Sequence, residues 1–133
     1  MVRRLLPGAK GLWRQEPTYY KAVQDHYVRE QLMKMLDWYV GIKTGFTQST
    51  GKEGKYLQRF LEPELWALLL QTYSDANPER TWQALFAMTG LFRRTAIPVA
   101  EHFGFEYLHA DDIRVTAHLT HIQDLPRDAK EMD

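Results

Sequence analysis

Residues 18–42 read TYYKAVQDHYVREQLMKMLDWYVGI, and this stretch decides the fold. Tyr20, Val23, Tyr27, Val28, Leu32, Met35, Leu36 and Tyr39 recur at steps of three, four or one. That is the 3.6-residue period of an amphipathic helix, and strand alternation fits poorly. Thr18 is a plausible N-cap, and the spacing predicts a helix from Thr18 to about Ile42. Lys21, Asp25, Arg29 and Lys34 fall on its opposite face, which is expected to be solvated.

Working outward, the following stretch is polar and rich in glycine. Four glycines, Gly41, Gly45, Gly51 and Gly54, lie within it, so it reads as a loop with several backbone conformations open to it. Tyr56–Leu61 allows one helical turn. Pro63 and Pro78 each sit where a first helical residue gives up no needed N–H, with Asn77 as a cap before the second. The helix from Pro63 is apolar on most sides, through Leu65, Trp66, Leu68, Leu69, Leu70 and Tyr73, and is expected to be short and deeply buried. The helix from Pro78 runs to about Phe103, with Gly104 as its stop. Pro98 inside it predicts a kink or a break. A last helix spans about Ala110 to Asp124, with Asp111 and Asp112 at its positive end and Pro126 beyond it. Its stripes are Ile113, Ala117 and His121, or Val115, Leu119 and Ile122. Residues 1–17, with Pro7, Gly8, Gly11 and Pro17, read as an irregular leading segment or linker that Leu12 and Trp13 tack onto the core. The expected architecture is an all-α bundle of four to five helices over residues 18–133.

The 133 residues suit one domain, and 44% apolar residues suffice for one core. With no cysteine, disulfide scaffolds and thiolate chemistry are excluded. Seventeen cationic side chains balance seventeen anionic ones, which disfavours a nucleic-acid binder. The charges are unevenly placed. Residues 1–60 hold eleven Lys/Arg and five Asp/Glu, and residues 61–133 hold six and twelve. An anion would approach the first part. No apolar run is long enough for a membrane span, and the default compartment is the cytoplasm.

Gly51-Lys52-Glu53-Gly54-Lys55-Tyr56 sets two ammonium groups three residues apart among glycines. Glycines let amides approach an anion, and lysine supplies a mobile charge for phosphate. The pattern is no P-loop, and a plain solvated loop is the competing reading. His118 and His121 could face one site at i and i+3, yet no metal-binding spacing accompanies them, and no metal site is expected. Arg93-Arg94 reads as a solvated helix face rather than an anion clamp. Asp37-Trp38-Tyr39 mixes an acid with aromatics, which suits a cationic or sugar-like ligand; core packing of the rings is the alternative.

Several motifs together resemble a known family. They are Lys10-Gly11-Leu12-Trp13-Arg14, the run from Trp38 to Phe46, Ser49-Thr50-Gly51-Lys52 with Lys55-Tyr56-Leu57, Trp82-Gln83-Ala84-Leu85-Phe86 with Leu91-Phe92-Arg93, and Gly104-Phe105-Glu106-Tyr107. They resemble the C-terminal part of aminoglycoside 6-adenylyltransferases, the streptomycin-modifying enzymes, from about Ala9 to Ile122. The resemblance implies a helical domain that closes over a separate N-terminal nucleotidyltransferase domain. That partner carries a Gly-Ser and an Asp-x-Asp for ATP and magnesium, and neither is part of this sequence. The chain is then a fragment, an excised domain or a truncated product, with no catalytic residue of its own and no tightly bound cofactor. The resemblance implies that Lys52 and Lys55 face the triphosphate of ATP, with Thr44 and Tyr56 nearby. It makes Asp37 and Tyr39 candidates for the cationic aminoglycoside. It also implies an uninterrupted third helix, from which Pro98 departs. A stand-alone helical binding or regulatory subunit serving a separate nucleotidyltransferase is the alternative, and a homodimer is open.

Overall fold

A computed structural model describes residues 5–107 and 109–125; the stop expected at Pro126 lies outside the described residues. Helix α1 is Leu5–Trp13, α2 Pro17–Ala22, α3 Arg29–Thr44, α4 Pro63–Gln71, α5 Pro78–Phe103 and α6 His109–Asp124. Between α2 and α3 the chain stays helical through one π segment, Val23–Val28, so the rod runs unbroken from Pro17 to Thr44. Single 3₁₀ turns at Lys52–Gly54 and Leu57–Arg59 carry the loop into α4. Among the described residues there is no strand.

The long helices α3 and α5 pack on each other, α4 lies on α5, and α1 bridges α2, α5 and α6. Their shared interior holds Leu32, Leu36, Leu85, Met88, Leu91, Leu119 and Ile122, all sealed from solvent. The rod's apolar stripe buries Tyr20, Val23, Val28, Leu32 and Leu36 while Tyr27 stays half exposed, and the rod starts at Pro17 after Glu16 rather than behind a cap at Thr18. In α6 the structure chooses the Val115, Leu119 and Ile122 stripe, while Ile113 faces water.

Four expectations are corrected. Residues 5–13 are helical, not irregular. Gly11 is the reason: a Cβ there would stand 2.9 Å from the Tyr19 ring, so a glycine lets α1 cross the rod closely and bury Ala9 and Leu12. Helix α4 is amphipathic instead of deeply buried, because Leu65 and Leu69 point inward while Leu70 and Tyr73 face solvent. Arg29 is not on a solvated face. Its guanidinium donates to Thr72 Oγ1 at 2.6 Å and Thr72 O at 3.0 Å and lies 3.9 Å over the Tyr73 ring, tying the rod to the end of α4. Finally, of the kink or break expected at Pro98 the break does not occur: α5 is one helix of 26 residues. The neighbouring Thr95 hydroxyl donates to the Leu91 carbonyl at 2.9 Å within the same stretch. The cap at Asn77 is as read, its side chain accepting from the Arg80 amide at 3.0 Å.

Candidate functional site

Helix α3 ends where Gly45 enters the left-handed region, with φ 64°. The glycine-rich stretch that follows folds back along α3 as one closed turn. The Tyr56 amide donates to the Thr50 carbonyl at 2.8 Å, and the Gly51 amide to Ser49 Oγ at 3.0 Å. Thr50 Oγ1 donates to Asp37 Oδ1 at 2.6 Å, which pins the turn to the side of α3. Gly51 has φ 81° and ψ 174°, a backbone that nearly requires glycine. The loop therefore holds a defined shape rather than several.

Lys52 and Lys55 project from this turn into solvent, and among the described residues no carboxylate lies within 4 Å of either amine. Lys55 Nζ sits 5.0 Å from the Tyr56 ring centre, and the Arg59 guanidinium lies 4.2 Å over the same ring. Arg59 was not singled out in the sequence, although its i+3 spacing from Tyr56 places it there on a helical turn. Beside the turn, a groove of about 440 Å³ is lined by Asp25, Glu30, Asp37 and Glu53 together with His26, Arg29 and Lys34; Glu30 pairs with Lys34 at 3.5 Å and Asp25 with Lys21 at 3.7 Å. Cationic and anionic halves of the site are thus adjacent.

The other predicted site residues behave differently. Thr44 Oγ1 donates to the Val40 carbonyl at 3.0 Å, a helix back-bond. Tyr39 lies two residues from Asp37, about 200° around the helix, so the two do not share a surface. Its hydroxyl donates to Glu62 at 3.0 Å, and Lys43 pairs with the same carboxylate. Burial and then the bond to Glu62 push the Tyr39 phenol up to about 12. Burial raises Glu62, but bonds from Lys43, its own amide and Tyr39 outweigh that and hold it below the usual carboxylate value.

A second cluster joins α5 to α6. Arg93 Nε donates to Asp112 Oδ2 at 2.6 Å and Nη2 to Oδ1 at 2.5 Å, while Thr116 and the Tyr107 hydroxyl bond the same carboxylate. Asp112 is 3% exposed. Hydrogen bonds from Arg93 lower its pKa against the effect of burial. The expectations of a solvated Arg93 and of a mere capping role for Asp112 are both corrected by this fork. The Asp111 side chain lies outside the described residues. His118 and His121 stack at 6.2 Å, and among the described residues no three His, Asp or Glu converge as a metal site needs.

An all-α bundle with exposed ammonium groups beside an acidic groove is the class that these features define. A family model described as streptomycin adenylyltransferase matches residues 8–122. The chain belongs to the streptomycin adenylyltransferase family. It is 33% identical over 98 residues to an aminoglycoside 6-adenylyltransferase of Campylobacter jejuni, covering 74% of this chain and 34% of that protein. To the Bacillus subtilis (strain 168) aminoglycoside 6-adenylyltransferase it is 31% identical over 103 residues, covering 77% and 36%. The crystal structure of an aminoglycoside 6-adenyltransferase from Bacillus subtilis superposes with a TM-score of 0.80 at 27% identity, covering 93% of this chain and 47% of that one. The chain spans about a third of the length of the curated relatives it matches. Among the described residues no helix is long and apolar enough to cross a membrane.

Proposed function

We propose that this chain is the helical C-terminal, ligand-binding portion of an aminoglycoside 6-adenylyltransferase. In the intact protein the reaction is transfer of AMP from ATP to a streptomycin hydroxyl. One observation carries this reading. Lys52 and Lys55 stand exposed, without carboxylate partners among the described residues, on a turn fixed to Asp37. Amines held in that way stabilise the triphosphate and the charge that develops on departing pyrophosphate. Arg59, over the Tyr56 ring, adds a third cation to the same side. The carboxylates of the neighbouring groove, Asp37 among them, attract the guanidinium groups of the antibiotic. Tyr39 serves this assignment least, because Glu62 and Lys43 already engage it.

Among the described residues no three His, Asp or Glu converge as a ready-made cation site. The metal, the catalytic base and the remaining nucleotide contacts belong in this reading to polypeptide beyond this chain. Alone, the chain binds ligand and turns over nothing.

Calorimetric titration of the chain with ATP–magnesium and with streptomycin tests this. Measurable binding of either, without adenylylation, agrees with the proposal. No heat with either ligand contradicts the binding role, and turnover by the chain alone contradicts its dependence on a second part. Binding only to another protein favours the regulatory-subunit alternative.

A further inference from the structure

Four large aromatic side chains crowd the end of the bundle where α3 and α5 stop. Trp38 is 50% exposed, Phe46 56%, Phe103 37% and Phe105 71%. They form one surface. The Trp38 and Phe103 rings meet edge to face at 5.2 Å, and Phe46 lies 6.3 Å from Phe103. Phe46 has a left-handed backbone, φ 57°, and its ring lies over Gly41, where an added Cβ would stand 2.3 Å from it. A shallow groove of about 280 Å³ continues the surface over Met35, Phe92 and Val99. At ~200 Å² per ring the exposed aromatic area is roughly 400 Å², the size of the largest apolar patch on an ordinary monomer, which is often functional.

The last described residue lies far from this surface. Leu125 lies beside Trp13 and Pro78, at the opposite end of α5. That helix is about 39 Å long at 1.5 Å per residue. Pro7, near the start of α1, packs on Tyr19, Val23 and Tyr27, and Trp38 is a further 16 Å or so along the rod from Tyr27. The relatives carry further polypeptide, since the chain accounts for only 34% and 36% of their length and 47% of the solved neighbour. Lys34 lines both the aromatic groove and the acidic groove of the candidate site, so a body seated on the rings also borders the ligand groove.

We infer that the surface formed by Trp38, Phe46, Phe103 and Phe105 is where the further polypeptide of the family's longer chains docks. This rests on the proposed function, in which a second part completes the site. Docking there seals the rings from water and fixes the approach of that part to the loop of Lys52 and Lys55.

Hydroxyl-radical footprinting of the full chain tests it. The chain is labelled alone, mixed with the remaining portion of the Bacillus subtilis relative, and joined to that portion as one polypeptide. The four rings are expected to label at least threefold more slowly in one or both of the latter, while Leu70 and Tyr73 label as before. Trp38→Ser and Phe105→Ser, each checked for a native melting curve, are expected to weaken association of the mixed parts at least tenfold. Should one variant misfold, the other and the footprint decide. Unchanged labelling in both formats overturns the inference. So does a dimer of the chain alone that Phe105→Ser converts to monomer, which makes a second copy the occupant. Ligand calorimetry needs no second polypeptide, so failure of the proposed function is read separately.

Discussion

Arg93 and Asp112 meet in a two-pronged hydrogen-bonded fork between α5 and α6, with the carboxylate 3% exposed and the guanidinium side chain 40% exposed. The asymmetry of exposure decides what each substitution does. Arg93→Ala strands a buried charge and is expected to cost about 3 kcal/mol in urea unfolding. Asp112→Asn leaves an arginine that can turn to water and keeps some hydrogen bonding, so about 1–2 kcal/mol is expected. Equal costs would contradict this account of the pair.

The same pair carries a pH signature. The Asp112 carboxyl sits lower when folded than when unfolded. Its contribution is therefore complete above the unfolded value and is lost as pH falls through the folded one. Unfolding free energies taken from pH 6 downward are expected to fall less steeply for Asp112→Asn than for the parent chain.

Tyr39 gives the opposite sign. Its phenol is pushed up to about 12 from an ordinary 10.0. The contribution is complete below the unfolded value and is lost as pH rises from about 10 through 12. In alkaline absorbance titration the Tyr39→Phe difference spectrum is expected to report a late transition near 12. Glu62→Gln should move it earlier while leaving part of the shift, because burial remains.

The long helices were legible because periodicity and capping are local, as at Asn77 and in the spacing of Leu32 and Leu36. Helix α1 was not, since Gly8 and Gly11 look like breakers until the rod they pack against is known. The Arg93–Asp112 fork joins residues 19 apart on two helices, which no local rule links. One signal was present: Asp112 occupies the same stripe as Val115, Leu119 and Ile122, and an acid on a buried stripe needs a partner. At the site, the composition of residues 51–56 announced cations, but the tie from Thr50 to Asp37 and the turning away of Tyr39 depend on tertiary placement.

Gly51 is expected to tolerate no side chain. An added Cβ would stand 2.6 Å from the Tyr56 ring and 2.9 Å from Lys55 Cγ, on a backbone with φ 81°. Gly51→Ala is expected to cost about 2 kcal/mol and to speed exchange of the Tyr56 amide. Gly90, inside α5 with open space at its Cβ position, is the control. Gly90→Ala is expected to stabilise by about 0.5–1 kcal/mol.

The most direct measurement of the central claim is steady-state kinetics of the joined two-part enzyme with Lys52→Ala, Lys55→Ala and both. The account predicts that each raises the KM for ATP or lowers kcat/KM for ATP by about tenfold, the loss of one charge-assisted contact. The KM for streptomycin is expected to stay within about twofold. Unchanged use of ATP in the double variant would contradict the account.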